Sequence, residues 1–364
     1  MRASFFKGRR VWITGHTGFK GAWLSDWLLR MGATVQGYSL APRADQPLFA
    51  ALNLDARMGS EFGDIRDAAR VRSSVGRFSP DVIFHLAAQP LVRLSYEIPA
   101  ETFDVNVMGT VNVLEALRHL PGRCAAVMVT SDKCYENSES GRAFVEADPM
   151  GGHDPYSASK GMAELVIASY GRSFFPSGGP IALASARAGN VIGGGDFSPD
   201  RIIPDCVRSI RAGRPLVVRN RLATRPWQHV LEPLAGYLCL ASCLGGEDRL
   251  LGEACRGGFN FGPLAGSARP VEDVVRAFFQ TWHGEWEDRT DPAAPHEAGR
   301  LQLDISKARA TMGWSPVWDF ETTVSRTARW YQAFDSGSSA ELLCAADLEA
   351  YQEAERQSGG GGLS

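Results

Sequence analysis

No apolar run in this chain reaches the roughly 20 residues that a membrane-spanning helix needs. Met1–Arg10 also lacks the hydrophobic core of a secretory signal. Excess charge is scarce: the net value at pH 7 is −3, so no overall field recruits nucleic acid or anionic lipid. The seven cysteines are Cys124, Cys134, Cys206, Cys239, Cys243, Cys255 and Cys344, an odd and scattered set. Cys239 and Cys243 stand four apart on an apolar helical stretch, but no second Cys or His pair completes a zinc spacing. Nor do the seven histidines form a metal cluster; His153, His229 and His296 fall in loop-like segments. Free thiols in a reducing cytosol fit best, so a cytoplasmic location is expected, with neither membrane nor nucleic acid as partner. There is no internal repeat.

What remains is a chain of 364 residues, 44% of them apolar, enough for one large α/β unit with an appended lobe. Arg10–Thr14 reads as a strand and Ala22–Met31 as the helix it feeds, with Gly32 as the stop. Ala33–Ser39 is a second β-rich run. Asp81–Leu86 and Ala125–Thr130 are short and continuously apolar, as strands covered on both faces are. Pro99–Leu120 repeats Phe103, Val107, Val111, Leu114 and Leu117 at helical spacing. Tyr156–Ser173 reads as another helix and Ile181–Arg187 as another strand. Such alternation predicts a doubly wound parallel sheet of the Rossmann type with a smaller C-terminal substrate-binding lobe. The expected division is 1–192 for the nucleotide-binding domain, with a return to the sheet near 258–262, and 193–334 for the lobe. Residues 335–364, ending in GGGGLS, read as a partly flexible tail.

Gly15, Gly18 and Gly21 stand at three-residue spacing between the first strand and its helix. Glycines there let the backbone turn tightly and bring bare N–H groups and a helix N-terminus against a pyrophosphate. The acid that commonly ends the second strand and bonds the ribose hydroxyls is missing. In its place stand Gly37, Tyr38, Ser39 and Leu40, with Asp45 nearby and Arg43 near enough to meet a phosphorylated ribose. Strand two therefore leaves NAD and NADP both open. Asp64 and Ile65 sit where a third strand would end, Asp64 either meeting the adenine or capping a helix. Small residues after the fourth strand, in His85-Leu86-Ala87-Ala88-Gln89, permit close approach to the cofactor.

Ser131 ends the fifth strand, 25 residues before Tyr156, and Lys160 follows Tyr156 by four. Tyr156 and Lys160 thus share one helix face. A free phenol titrates at about 10, too high for a base at neutral pH. A neighbouring ammonium and a positive nicotinamide ring would both favour phenolate and lower that value. Asp132 and Lys133 either add proton traffic at a second carbon or are ordinary polar loop residues. Seven arginines lie between Arg201 and Arg225. Of these, Arg219 and Arg225 flank a strand-and-turn segment and suit a diphosphate, because guanidinium binds phosphate oxygens in pairs.

These residues resemble the extended short-chain dehydrogenase/reductase superfamily and, within it, the CDP-glucose 4,6-dehydratases. The matching strings are Gly15-His16-Thr17-Gly18-Phe19-Lys20-Gly21, HLAAQPLVRLSY (85–96), NVMGTVNVLEA (106–116), TSDKCYEN (130–137) and MGGHDPYSASKGMAEL (150–165). RAGNVIGGGD (187–196) and RPWQHVLEPL (225–234) extend the likeness, which runs from about residue 5 to residue 333. The resemblance implies an NAD-dependent, redox-neutral conversion of CDP-glucose to a 4-keto-6-deoxy sugar nucleotide. Such products feed deoxysugar synthesis, including that of lipopolysaccharide O-antigen. Tyr156, with Ser131 and Lys160, would take the 4-hydroxyl proton, and Asp132 would protonate the departing 6-hydroxyl. Related dTDP-sugar enzymes carry Glu as the carbon-5 base where this chain has Lys133. By position matching, Gly15, Thr17, Gly18, Phe19, Gly21, Asp64, Ile65, Leu86, Ala87, Ala88, Asn106, Tyr156 and Lys160 would bind NAD. Arg93, Asn190, Arg201, Arg219, Arg225 and His296 would bind the sugar nucleotide. Relatives pair through helices matching Pro99–Leu120 and Tyr156–Ser173, so a homodimer or a dimer of dimers is expected. Competing readings are another nucleotide-sugar dehydratase, a 4-epimerase on the same scaffold, or a silent NAD-binding regulator. The last has no need of Ser131, Tyr156 and Lys160 together.

Overall fold

The computed structural model describes residues 3–137, 141–263, 268–290 and 301–359. Its centre is a parallel sheet of seven strands: β1 (Arg10–Thr14), β2 (Thr34–Ser39), β3 (Gly59–Phe62), β4 (Val82–His85), β5 (Cys124–Val129), β6 (Ile181–Ala188) and β7 (Gly257–Phe261). The spatial order is β7-β6-β5-β4-β1-β2-β3, so the chain reverses direction of travel across the sheet after β3. The crevice where the order reverses is where ligands bind in such sheets. Every residue of β4 and of β5 is buried, which explains their unbroken apolar character, whereas the edge strand β3 is half open. Helices α1 (Phe19–Arg30), α2 (Ala68–Phe78), α3 (Gly109–Arg118), α4 (Pro155–Phe174), α5 (Ile202–Arg211) and α6 (Leu231–Gly245) accompany the strands. No described helix is long and apolar enough to cross a membrane.

Three differences from the sequence reading have physical causes. Helix α1 begins at Phe19 rather than Ala22, because Gly18 already accepts the Ala22 N–H at 2.8 Å. The segment expected as one helix over 99–120 carries a π-turn at Asp104–Met108 between Pro99–Phe103 and α3. An inserted turn of this kind re-aims side chains, here Asn106, into the interior. Finally, α6 lies within the region assigned to the lobe, yet it packs against β5 and β6.

The tail is the largest correction. After α7 (Phe320–Asp335), the segment expected to be flexible forms α8 (Ala340–Gln357), capped by Ser339. Ala340, Cys344, Leu348 and Tyr351 recur on one face and are buried, a stripe masked by the polar residues between them. The Tyr351 ring meets Trp27 and Trp318 edge-on, and its hydroxyl donates to Glu232 Oε2 at 2.7 Å. Residues 360–364 of that expected tail lie outside the described residues.

Glu232 on α6 is fully buried and also accepts the backbone N–H groups of Val317 and Trp318. Burial pushes its carboxyl up to about 7. A carboxyl raised in the folded state favours folding at low pH and loses that contribution as pH climbs through the raised value. Stability should therefore fall between about pH 5 and pH 8, by about 3 kcal/mol for the whole shift at 1.36 kcal/mol per unit. Chemical denaturation across that range checks this, and Glu232→Gln should flatten the slope while lowering stability throughout.

Candidate active site

The loop after β1 is shaped by what glycine leaves out. Gly15 has a left-handed φ of +73°, and a Cβ there would lie 2.9 Å from the Ala87 nitrogen. At Gly21 a Cβ would come within 2.0 Å of the Gly15 carbonyl oxygen, so neither position admits a side chain. Gly18 caps α1 without any side-chain bond, and the first turn holds no acid. The free N–H groups and positive end of α1 therefore fit an anion such as a pyrophosphate. Thr14 ties this loop to the next: its Oγ1 accepts the N–H groups of Leu86 and Ala87, both at 2.9 Å. Leu86, Ala87 and Ala88 remain partly open beside it. Gly21→Ala should abolish dinucleotide binding, measured by cofactor fluorescence, because a methyl group must push the loop apart.

Other expected cofactor contacts lie differently. Thr17 Oγ1 is 2.7 Å from Ser39 Oγ, at the end of β2. Phe19 packs against the main core, near Gly193. Of the two readings of Asp64, the helix cap fails: Asp67 caps α2, accepting the Arg70 N–H. The Arg66 guanidinium grips Asp64 instead, at 2.6 Å, and holds its carboxyl below the usual range. Ile65 is buried in the core cluster with Val71 and Val113. Asn106, expected to meet the cofactor, makes internal hydrogen bonds. Its amide nitrogen donates to Gln89 O at 3.1 Å and Ser159 Oγ at 2.8 Å, and its oxygen accepts the Gln89 N–H. Asn106 is 1% exposed.

Ser131, Asp132 and Tyr156 come together, and Lys160 follows Tyr156 by one helical turn. Ser131 opens a short 3₁₀ turn after β5, accepting the Lys133 N–H at 3.2 Å and donating to Asp132 Oδ1 at 3.0 Å. Asp154 caps α4 through the Ser157 N–H, which sets Tyr156 in the first turn and Lys160 one turn on. The Ser131 hydroxyl acts on the Tyr156 phenol and favours its ionised form. Burial nevertheless pushes the phenol up to about 12, against the pull of Ser131 and the Arg201 charge. Lys160 is itself pushed down to about 8 by burial, opposed by Glu164. The expectation that the ammonium lowers the phenol is thus outweighed here: desolvation dominates both groups.

Asp132 is 2% exposed, and burial raises its carboxyl against the opposing charges of Lys133, Arg225 and Lys20. Its Oδ2 has no hydrogen-bond partner among the described residues and lies where a Cβ on Gly189 would come within 2.8 Å. A buried carboxyl raised in this way is suited to give up a proton. Lys133 is half-buried beside it.

Of the expected substrate residues, Arg225 and Arg201 bear on this centre, the first on Asp132 and the second on Tyr156. Asn190 stands half-buried between β6 and the short strand Val191–Ile192. Arg219 and Arg93 stand further out, at 3.0 and 4.0 Å from the Asp200 carboxylate. His296 lies outside the described residues. Sequence reasoning missed Lys20, whose buried ammonium, lowered to about 8, acts on Asp132 and feels Arg201, Lys160 and Asp196. A cation in the first turn of a helix opposes the helix dipole, and that local conflict was the available signal.

A sequence profile described as GDP-mannose 4,6 dehydratase matches residues 12–251. A CDP-glucose 4,6-dehydratase of Salmonella typhimurium is 45% identical, over 96% of this chain and 98% of its own. A dTDP-glucose 4,6-dehydratase of Streptomyces antibioticus is 30% identical, over 88% of this chain and 91% of its own. Among solved structures, a dTDP-glucose 4,6-dehydratase of Streptomyces venezuelae with NAD and TYD bound has a TM-score of 0.76 at 24% identity. That match covers 90% of this chain and 98% of the other. Fold, site geometry and sequence likeness thus agree, and the chain belongs to the GDP-mannose 4,6 dehydratase family.

Proposed function

We propose that this chain is a hydro-lyase that converts CDP-glucose to CDP-4-keto-6-deoxyglucose and water. The observation that carries this reading is Asp132, a buried carboxyl with one unpartnered oxygen, bonded to the Ser131 hydroxyl that also acts on the Tyr156 phenol. A 4-epimerase needs the phenol but not a second proton donor. The 45% likeness to a CDP-glucose 4,6-dehydratase along nearly the whole chain supports the cytidine base.

Tyr156, oriented by Ser131, takes the proton of the sugar's 4-hydroxyl, and Lys160 supplies positive charge one turn away. NAD bound on the glycine loop would accept hydride from carbon 4, return it to carbon 6, and favour phenolate by its positive ring. Asp132 donates its proton to the 6-hydroxyl as it leaves, and Lys133 is the group at hand for the carbon-5 proton. Arg225 and Arg201 neutralise the diphosphate. NAD is preferred to NADP because Asp45 grips Arg43 by two bonds, at 2.9 and 2.8 Å, leaving little charge for a ribose 2′-phosphate. A homodimer is supported by Met108, Met162 and Leu165, exposed on neighbouring helical segments. A cytoplasmic location suits such a substrate.

Incubation with CDP-, dTDP-, UDP- and GDP-glucose separately tests the reading, the 4-keto product being read by its absorbance in base. The expected result is turnover of the CDP sugar without net NADH; product from another sugar alone overturns the base assignment. Leu165→Glu should halve the mass in sedimentation if the apolar helices pair.

A further inference from the structure

Glu164 lies on α4 one turn beyond Lys160, buried and outside the proton-transfer steps described above. Its Oε1 accepts the Thr130 hydroxyl at 2.5 Å, and Thr130 directly precedes Ser131. Its Oε2 accepts Ser185 Oγ at 2.8 Å and the Arg187 guanidinium at 2.7 Å, both from β6. One carboxylate therefore joins the helix that carries Tyr156 and Lys160 to the strand end that carries Ser131. Arg187 is anchored from behind by the Tyr135 hydroxyl at 2.6 Å and the Glu146 carbonyl at 3.0 Å. Gly258 makes room for it, since a Cβ there would lie 2.4 Å from the guanidinium.

Burying an ion pair in this way is a poor route to stability, because desolvating both charges offsets their attraction. Its placement calls for another reason. We propose that Glu164 is a positioning residue for the reaction, holding Ser131 in place through Thr130 and keeping Lys160 charged. This rests on the roles given above to Ser131, Tyr156 and Lys160. The groups facing Lys160 from other elements are Cys134 after β5, His85 at the end of β4 and Lys20 on α1. Burial keeps the thiol and the imidazole neutral, and Lys20 carries the same sign. Glu164 is the carboxylate in this group that opposes the loss of the Lys160 proton.

The test is the double variant Glu164→Gln/Arg187→Gln, which removes the pair without stranding one charge. We expect kcat to fall roughly ten- to hundredfold with KM little changed, as a displaced catalytic group produces. We also expect the alkaline limb of kcat to move down by about one pH unit, because Lys160 loses its favourable charge. Thr130→Val, which leaves the pair intact, should lower kcat and leave the limb in place. A folded double variant with kcat and limb both unmoved overturns the proposal. If the double variant fails to fold, an unchanged kcat in Thr130→Val does so. The assays use whichever nucleotide sugar the native protein turns over, so a wrong base assignment does not disturb them. If it turns over none, the functional reading fails separately. The charge argument is then read from the NMR titration of ¹³C-dimethylated lysines, with Lys160 identified by the signal lost in Lys160→Arg. An unshifted Lys160 there overturns it.

Discussion

Tyr156→Phe should lower kcat by about 10³-fold, within the range that a positioned acid–base group supplies, while the protein still folds and binds its cofactor. The loss is chemical because the phenol's neighbour is the Ser131 hydroxyl, and phenylalanine fills the same volume. Removing one hydrogen bond shifts stability by about 1 kcal/mol, too little to unfold a chain with a core this large. The pH profile of the native enzyme gives a second reading. The phenol, pushed up to about 12, must shed its proton, so kcat rises with pH from the acid side. Lys160, held at about 8, loses its charge above that point, so kcat should turn down there. Activity of Tyr156→Phe within tenfold of native would remove the base from the mechanism.

Asp132→Asn should cost about 10²-fold in product formation. The asparagine keeps the shape of the side chain and can still accept from Ser131, but its amide cannot release a proton to a departing hydroxyl. Burial raises the native carboxyl above its ordinary value, so it holds its proton to a higher pH than an exposed aspartate and loses it as pH rises. Because the defect lies in leaving-group protonation, a CDP-glucose analogue with fluorine at carbon 6 should recover most of the rate, fluoride being expelled with less help from an acid. Retention of full activity on CDP-glucose would favour the epimerase reading. Failure of the fluoro analogue to recover the rate would place Asp132 in a role other than acid.

The local features of the site were legible because they are local. Gly15 and Gly21 reported a tight crossing of backbones, and the spacing from Tyr156 to Lys160 reported one helix face. The internal bonds of Asn106 were not legible, because its place on the matching string says nothing of a π-turn that points it at Gln89 and Ser159. The tail was misread for a related reason: Cys344, Leu348 and Tyr351 are too few to raise its average hydropathy, and their partners Trp27, Trp318 and Glu232 are far away in the chain. Lys20 stands inside a motif whose glycines by themselves account for the turn, so only its conflict with the helix dipole marks its charge as part of the site.

The amino-acid order alone determined the alternation of strands and helices, the glycine cradle and the identity of the Ser131, Tyr156 and Lys160 set. Each depends on conformational preferences and periodicities that extend over only a few residues. The fold alone decided the protonation behaviour: a phenol near 12, an ammonium near 8 and a carboxyl raised above its ordinary value. Those values come from desolvation and from charges such as Arg201, Arg225 and Glu164, which meet the site only once the chain has closed around it.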